Sequence, residues 1–349
     1  MDDVLRAMNS VVPEIKELFI SRLNMLNILR DENPIGRKAL AKKLGITERA
    51  ARTMIDTLRD QDLIRVSTKG VYITESGFEA TNLLNEWFLE DEERPFSEKE
   101  KVISELLGVD YCIIVPGDSE SDESVFKDLS EAVQRVLDTE LTKPKNIIAV
   151  TSGTTLSQVG NYFTPEIARD RELLFVPTRG GLNANIGIQS NTVGGVMAEN
   201  TKSQYLPLFI PENIDEQTYE LFLKQPSIQH AIETSKRADC LLLSIGNADV
   251  MAHRRDVNNE QIDQLHQGHA VGEAFGVFFD EEGKDVLRYP RIGLQIEDID
   301  RIPLVITVIS GASKASALIA YHKLTKNHGW LVCDEALANQ VLNELSSLK

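Results

Sequence analysis

Cysteine is scarce in this chain of 349 residues: Cys112, Cys240 and Cys333 are its only thiols, each inside or at the end of a strand-like run. No pair has metal-ligand spacing, so neither a disulfide framework nor a cysteine zinc site is expected, and the thiols read as buried and reduced. Long hydrophobic runs are lacking too. Stretches such as Leu304–Ile309 and Cys240–Leu243 are far too short to cross a bilayer. The N-terminus opens on Asp2 and Asp3 without a basic-then-apolar leader, so a cytosolic protein with no membrane partner is expected. The chain has no Gly-x-x-x-x-Gly-Lys-Ser/Thr and no Gly-x-Gly-x-x-Gly turn, which argues against a P-loop nucleotidase and a dinucleotide enzyme. His266, His269 and Glu273 in "HQGHAVGE" have no third strong ligand at metal spacing, so neither metal nor cofactor is expected. Positive charge is outnumbered: 37 Lys and Arg against 54 Asp and Glu leave a net charge of −17. Averaged over the chain, that balance argues against a polyanion partner.

The distribution of charge says otherwise. Residues 35–70 carry Arg37, Lys38, Lys42, Lys43, Arg49, Arg52, Arg59, Arg65 and Lys69 against only Glu48, Asp56, Asp60 and Asp62. "NPIGRKALAKKLGI" reads as a helix stopped by Gly45. Thr47 is placed to cap the helix that follows, "ERAARTMIDTLRDQ". Ala51, Met54, Ile55 and Leu58 recur at helical spacing and make its apolar face, and Arg49, Arg52, Thr53 and Asp56 share another. "LIRVSTKGVYIT" is two short strands around Lys69–Gly70. Helix, tight turn, helix and hairpin predict a winged helix-turn-helix over residues 1–76. Its second helix would present Thr47, Arg49 and Arg52 to base edges, while Arg37, Lys42 and Lys69 would hold phosphates. The alternative is a helical interaction domain whose charges are merely solvated. Residues 77–104 read as a linker helix with an apolar stripe, Leu83, Leu84, Trp87 and Phe88, followed by the acidic run Glu90–Glu93.

Residues 105–349 alternate apolar strands with helices, the pattern of a doubly wound, mostly parallel sheet. The expected strands are Tyr111–Val115, Asn146–Val150, Glu172–Val176, Tyr205–Ile210, Cys240–Ile245, Leu304–Ile309 and Trp330–Val332. Ligands of such sheets bind beyond the carboxyl ends of the strands. There the sequence puts Ser152, Gly153, Thr154 and Thr155; then Arg179 with Gly180 and Gly181; then Arg254 and Arg255; then Ser313 and Lys314. Small-residue turns that open helices offer main-chain N–H groups to an anion, and the Arg and Lys residues add charge at the same rim. Glu273, in "VGEAFGVFF", suits sugar hydroxyls and repels phosphate. Phosphate cradles beside a hydroxyl-accepting carboxylate describe a sugar phosphate.

The order of "NPIGRKALAKKLGITERAART", "VTSGTTL", "RELLFVPTRGGL", "IGNADVMAHRR", "EAFGVFF" and "GASKASAL" resembles the SorC family of bacterial sugar-binding transcription regulators, across essentially the whole chain. The resemblance is strongest to members governing glycolytic genes. It implies a repressor with a DNA-binding arm and a sensor for fructose-1,6-bisphosphate, which weakens operator binding, and a homo-oligomer, a dimer or a dimer of dimers. It also implies Ser152, Gly153, Thr154 and Thr155 as a phosphate loop, with Arg179, Gln189, Arg254, Glu273 and Lys314 as further ligand positions. Ser152 stands where a Gly is common in relatives. The sensor is similar in fold to sugar-phosphate isomerases and glucosamine-6-phosphate deaminase, which leaves two alternatives: an enzyme of that kind, or a regulator answering to a monophosphate sugar. In the matching stretch Gly246–His253, Asp249 remains but the histidine that should follow it directly does not. No base is evident, so a sensor and not an enzyme is expected.

Overall fold

In the computed structural model, residues 14–31, 33–44, 46–90, 96–181, 185–210, 216–255, 257–289, 291–325 and 329–347 are described. They divide into two compact units, Met1–Ser97 and Glu98–Lys349. No helix among the described residues is long and apolar enough to cross a membrane.

The first unit runs α1 (Glu14–Asp31), α2 (Arg37–Lys43), α3 (Glu48–Asp60), β1 (Ile64–Ser67), β2 (Gly70–Ile73) and α4 (Glu75–Glu90). Its core is one cluster that draws Leu26 and Leu29 from α1, Leu40 from α2, Ala51, Ile55 and Leu58 from α3, and Ile64 and Val71 from the hairpin. The i, i+4, i+7 spacing of Ala51, Ile55 and Leu58 turns one face of α3 inward and leaves Arg49 and Arg52 outside. β1 and β2 pair antiparallel from Ile64↔Ile73 to Ser67↔Gly70, and Ile35 bridges Val71 to add a third strand to the wing. This is the expected winged helix-turn-helix. Gly45, and the side chains of Leu83, Trp87 and Phe88, lie outside the described residues. The segment read as one linker helix is two helices, α4 and α5 (Ser97–Leu107).

The second unit is built on seven parallel strands: β3 (Tyr111–Val115), β4 (Lys145–Val150), β5 (Glu172–Pro177), β6 (Gln204–Tyr205), β7 (Cys240–Leu243), β12 (Leu304–Ile309) and β13 (Trp330–Asp334). Their order is β3-β13-β12-β7-β4-β5-β6. Alternate residues of these strands, such as Ile148, Phe175, Leu242 and Ile306, meet α6 (Val125–Glu140), α7 (Thr154–Gly160) and α8 (Ser190–Asn200) in one core. Their neighbours Ala149, Leu241 and Val305 are buried as well, so the sheet is covered on both sides and the strands read as unbroken apolar runs. Strand order reverses at β4: β5 lies on one side, β7 on the other. That is a topological switch point, where the chain leaves a crevice at the carboxyl edge.

Two features depart from the expected pattern. Of the expected strand at 205–210 only Tyr205 pairs with β5, together with Gln204 just before it. Further on, the Asn191 side chain takes the place of a strand partner: its Oδ1 accepts from the Leu208 N–H at 3.0 Å and its Nδ2 donates to the Leu208 carbonyl at 2.9 Å. The second departure is a four-stranded antiparallel sheet of β8 (Gly246–Asn247), β9 (Ala270–Ala274), β10 (Val277–Asp280) and β11 (Asp285–Arg288), in the order β11-β10-β9-β8. β9 and β10 are joined by Phe275 and Gly276, both at positive φ (53° and 79°), as a two-residue hairpin requires. β8 follows β7 almost directly, which seats this small sheet beyond the carboxyl edge of the large one. The remaining helices are α9 (Glu216–Leu223), α10 (Pro226–Lys236), α11 (Ala248–Arg254), α12 (Asn259–Gln267), α13 (Ala315–Leu324) and α14 (Glu335–Ser347).

The Gly pair after β5 serves the fold. Gly180 donates to the Ile292 carbonyl and Gly181 to the Ile210 carbonyl. A Cβ on Gly180 would lie 2.5 Å from the Ile210 carbonyl oxygen, so the close approach expected of this turn is to the chain itself. Gly180→Ala is therefore expected to destabilise the protein by about 1–3 kcal/mol, read from the midpoint of urea denaturation, because backbone must move to admit the methyl group.

Candidate functional site

The cleft lies at the β4–β7 switch. β5, β4, β7 and β12 are consecutive neighbours in the sheet, and each contributes the residues that follow it: Thr178 and Arg179; Thr151, Ser152, Gly153 and Thr154; Ser244 to Asn247 with Arg254 and Arg255; and Ser313 with Lys314. The small sheet closes one side with Glu273, Ala274 and Phe275, and Arg291 reaches in from beyond β11. Residues scattered over more than 160 positions of sequence thus converge because the strands that carry them are adjacent.

Each charged group is held by specific contacts. Arg179 is 4% exposed, and its Nη2 donates to Ser152 Oγ at 2.6 Å, tying the loop after β5 to the loop after β4. Lys314 is half-buried and its Nζ donates to Thr155 Oγ1 at 3.1 Å. Burial lowers the Lys314 pKa, against the opposing charges of Asp334 and Glu120. Glu273 and Arg255 form a buried ion pair, Nη2 to Oε1 at 2.7 Å, with 5% and 3% of their side chains exposed. The same Oε1 accepts the Gly276 N–H at 2.6 Å. Burial pushes the Glu273 carboxyl upward, but the charges of Arg255 and Arg179 and these two hydrogen bonds outweigh it and hold its pKa below the ordinary value. Arg255, expected at the ligand, lines the cleft with one donor on Glu273 and lies 5.7 Å from the Tyr289 ring centre.

Among the described residues, five cations, Arg179, Arg254, Arg255, Arg291 and Lys314, line the cleft against the single carboxylate of Glu273. In a chain of net charge −17 this is a concentrated local inversion. Side chains, more than main-chain amides, produce it. The Gly153 N–H, expected to face an anion, donates to the Ile188 carbonyl at 3.0 Å, and the Gly311 N–H donates to Asp334. Helix α7 has only seven residues, so its dipole adds little. Gly153 contributes shape: at φ 146° it turns the chain from β4 into α7 in a conformation other residues rarely adopt.

Thr155 and Gln189 do not line the cleft. Thr155 is buried behind it under Lys314, and Gln189 is the residue before α8, beside Gly181. Arg291 was not foreseen. It is 5% exposed, donates to the Thr178 carbonyl at 2.9 Å and lies over the Phe275 ring at 4.9 Å. It follows no parallel strand, so a rule that searches strand ends passes it by. Asp249, the one remnant of an enzyme signature, is not in the cleft; it is exposed, 3.7 Å from an exposed His266. A general base must reach the proton it takes, and Glu273, the one carboxylate of the lining among the described residues, already accepts from Arg255 and Gly276.

In the first unit, Arg37 opens α2, Lys42 lies in its last turn, Arg49 and Arg52 stand on the outer face of α3, and Lys69 sits at the tip of the wing. All are exposed, and among the described residues none is in an ion pair, whereas Arg59 holds Asp56 at 2.8 Å and Asp60 at 2.9 Å. Thr47 caps α3: its Oγ1 accepts the Ala50 N–H at 3.2 Å, which leaves the hydroxyl hydrogen as its outward donor.

Comparison with known proteins follows these two units. Residues 94–343 match the family "Putative sugar-binding domain", and residues 18–88 match the "CggR N-terminal DNA binding domain". The chain is 35% identical to the central glycolytic genes regulator of Bacillus subtilis (strain 168), over 99% of this chain and all of that protein. A SorC family transcriptional regulator from Enterococcus faecalis is 39% identical, with a TM-score of 0.67 over 70% of this chain and 99% of that one. The full-length sorbitol operon regulator SorC from Klebsiella pneumoniae, 15% identical, shares the fold at a TM-score of 0.65 over 94% of this chain and 99% of its own.

Removing one partner of the buried pair leaves an unpaired charge in the interior. Arg255→Met is expected to cost about 3–5 kcal/mol in urea denaturation at neutral pH, and Arg255→Met with Glu273→Leu to recover most of it. The sign with pH follows from the lowered Glu273 pKa. Its contribution is present above the unfolded value of 4.5 and is lost as pH falls through the folded value, so the double variant should lose less stability below pH 4.5 than the unaltered protein.

Proposed function

The chain belongs to the SorC family of sugar-binding transcriptional regulators, and from that premise we propose that it represses glycolytic genes, holding operator DNA on its winged helix and releasing it when fructose-1,6-bisphosphate fills the cleft. The observation that carries the effector is the charge of the lining. Among the described residues of the lining, five cations and one carboxylate give a net +4. A phosphomonoester carries about −1.5 to −2 at neutral pH, so two are needed to match it. The cations also span four neighbouring strands, roughly 14 Å at the usual spacing, which suits a ligand charged at both ends. Ser152, Thr154 and Lys314 would take one phosphate on the loop that Gly153 shapes, Arg179 and Arg254 the other, with Arg291 setting the position of the Arg179 loop. A monophosphate sugar would leave about half of this charge uncompensated.

The DNA reading rests on the exposed cations of the first unit. Arg49 and Arg52 reach base edges from the outer face of α3, Thr47 donates beside them, and Arg37, Lys42 and Lys69 grip phosphates. A symmetric homodimer places two such helices on paired half-sites. Release on effector binding requires that the sugar bind one state of the assembly better than the other, since a ligand that binds both equally shifts nothing. The similarity to the Bacillus subtilis glycolytic regulator over the full length supports the gene set.

Calorimetry with a panel of phosphorylated sugars tests the effector. Fructose-1,6-bisphosphate should bind at least tenfold more tightly than fructose-6-phosphate, and equal affinities would refute the charge argument. On the DNA side, three phosphate contacts per subunit, doubled in a dimer, predict that operator affinity falls by about a thousandfold between 50 and 200 mM salt. Arg49→Ala should cost about 1–3 kcal/mol on the operator and far less on random DNA, measured by fluorescence anisotropy.

A further inference from the structure

We propose that Glu120 is a resident competitor for the phosphate at Lys314, a carboxylate that sets how tightly the cleft holds its anionic ligand; this rests on the sugar-phosphate reading above. Glu120 lies in the loop between β3 and α6. The acids around it are turned inward on that loop: Asp118 accepts the Glu120 N–H and Asp122 the Ser124 N–H, both at 2.9 Å. Glu120 reaches out of it. Its Oε1 accepts from Ser313 Oγ at 2.6 Å, across 193 residues of sequence. Its side chain lies so closely over Gly311 that a Cβ there would be 2.7 Å from the same oxygen.

The placement is built into the fold. Asp334, fully buried at the end of β13, accepts the Ser119 N–H at 2.9 Å and the Gly311 N–H at 3.1 Å, clamping the acidic loop to the turn that carries Ser313 and Lys314. Asp334 is thereby engaged by main-chain donors. Glu120 is exposed and holds a hydroxyl, a contact that can be exchanged. Two consequences follow. The Ser313 hydroxyl, at the edge of the cleft, gives its hydrogen to a carboxylate and not to a ligand. A negative charge also stands beside Lys314, the cation of that side, and opposes any phosphate brought there. Glu120 takes the part of an anion while the cleft is empty and yields Ser313 when a stronger anion arrives.

Glu120→Gln isolates the charge, because the amide keeps an oxygen to which Ser313 can donate. In calorimetry on the full chain, with inorganic phosphate and with fructose-1,6-bisphosphate, the variant is expected to bind about two- to fivefold more tightly than the unaltered protein at low salt, the scale of an exposed charge interaction. The advantage should shrink towards unity in about 1 M salt, where screening acts within about 3 Å; a packing effect would not follow salt in this way. Equal or weaker binding by Glu120→Gln, or a gain indifferent to salt, overturns the proposal and leaves the site reading intact. Failure of the unaltered protein to bind either probe overturns the site reading and this inference together.

Discussion

A charge pair taken out of water survives only if each partner satisfies the other, and Arg255 with Glu273 is that pair here. It joins the end of α11, which follows the large sheet, to β9 of the small one. The antiparallel sheet is thereby fixed over the carboxyl edge, and Phe275 and Gly276 are fixed with it. Phe275 in turn supports Arg291, and Arg291 holds the Thr178 carbonyl next to Arg179. Arg179 ends on Ser152. A single line of contacts therefore runs from the buried pair to the loop after β4, and each cation on it is held by protein contacts of its own. Orientation in advance lowers the cost of holding an anion in a small cleft of a protein that is itself net negative.

Much of this was legible in the amino-acid order. Strand ends point to cleft-lining positions because a parallel sheet sends the loops after its strands to one edge, so the convergence of Ser152, Arg179, Arg254 and Lys314 was legible. The winged helix was legible for a different reason: Ala51, Ile55 and Leu58 repeat at helical spacing, and a hairpin turn lies beyond them. What stayed hidden depends on contacts between distant segments. Arg291 follows no parallel strand. The antiparallel sheet is assembled from strands of two to five residues, too short for alternation to stand out. Nothing local says that the Gly153 and Gly311 N–H groups are taken by Ile188 and Asp334, or that Arg255 faces a carboxylate. Sequence marks which residues gather; only the fold decides which of their donors remain for a ligand.

Net charge is a poor guide to partners when a chain has separable parts. The acidic total keeps most of the surface repulsive to polyanions, yet Arg37, Lys42, Arg49, Arg52 and Lys69 are exposed together on one unit. The cleft repeats the pattern at smaller scale, with cations gathered against an acidic background. Both are places where positive charge is concentrated against the acidic total of the chain.

The three thiols lie on three strands of the large sheet: Cys112 on β3 at its edge, Cys333 on β13 beside it, and Cys240 on β7 near the middle. All are buried, so a modifying reagent meets them only when the strands part. The order in which they become reactive in mild denaturant distinguishes a sheet that frays from its β3 side inward from one that opens all at once. The chain thus carries its own set of position markers for the least stable part of its interior.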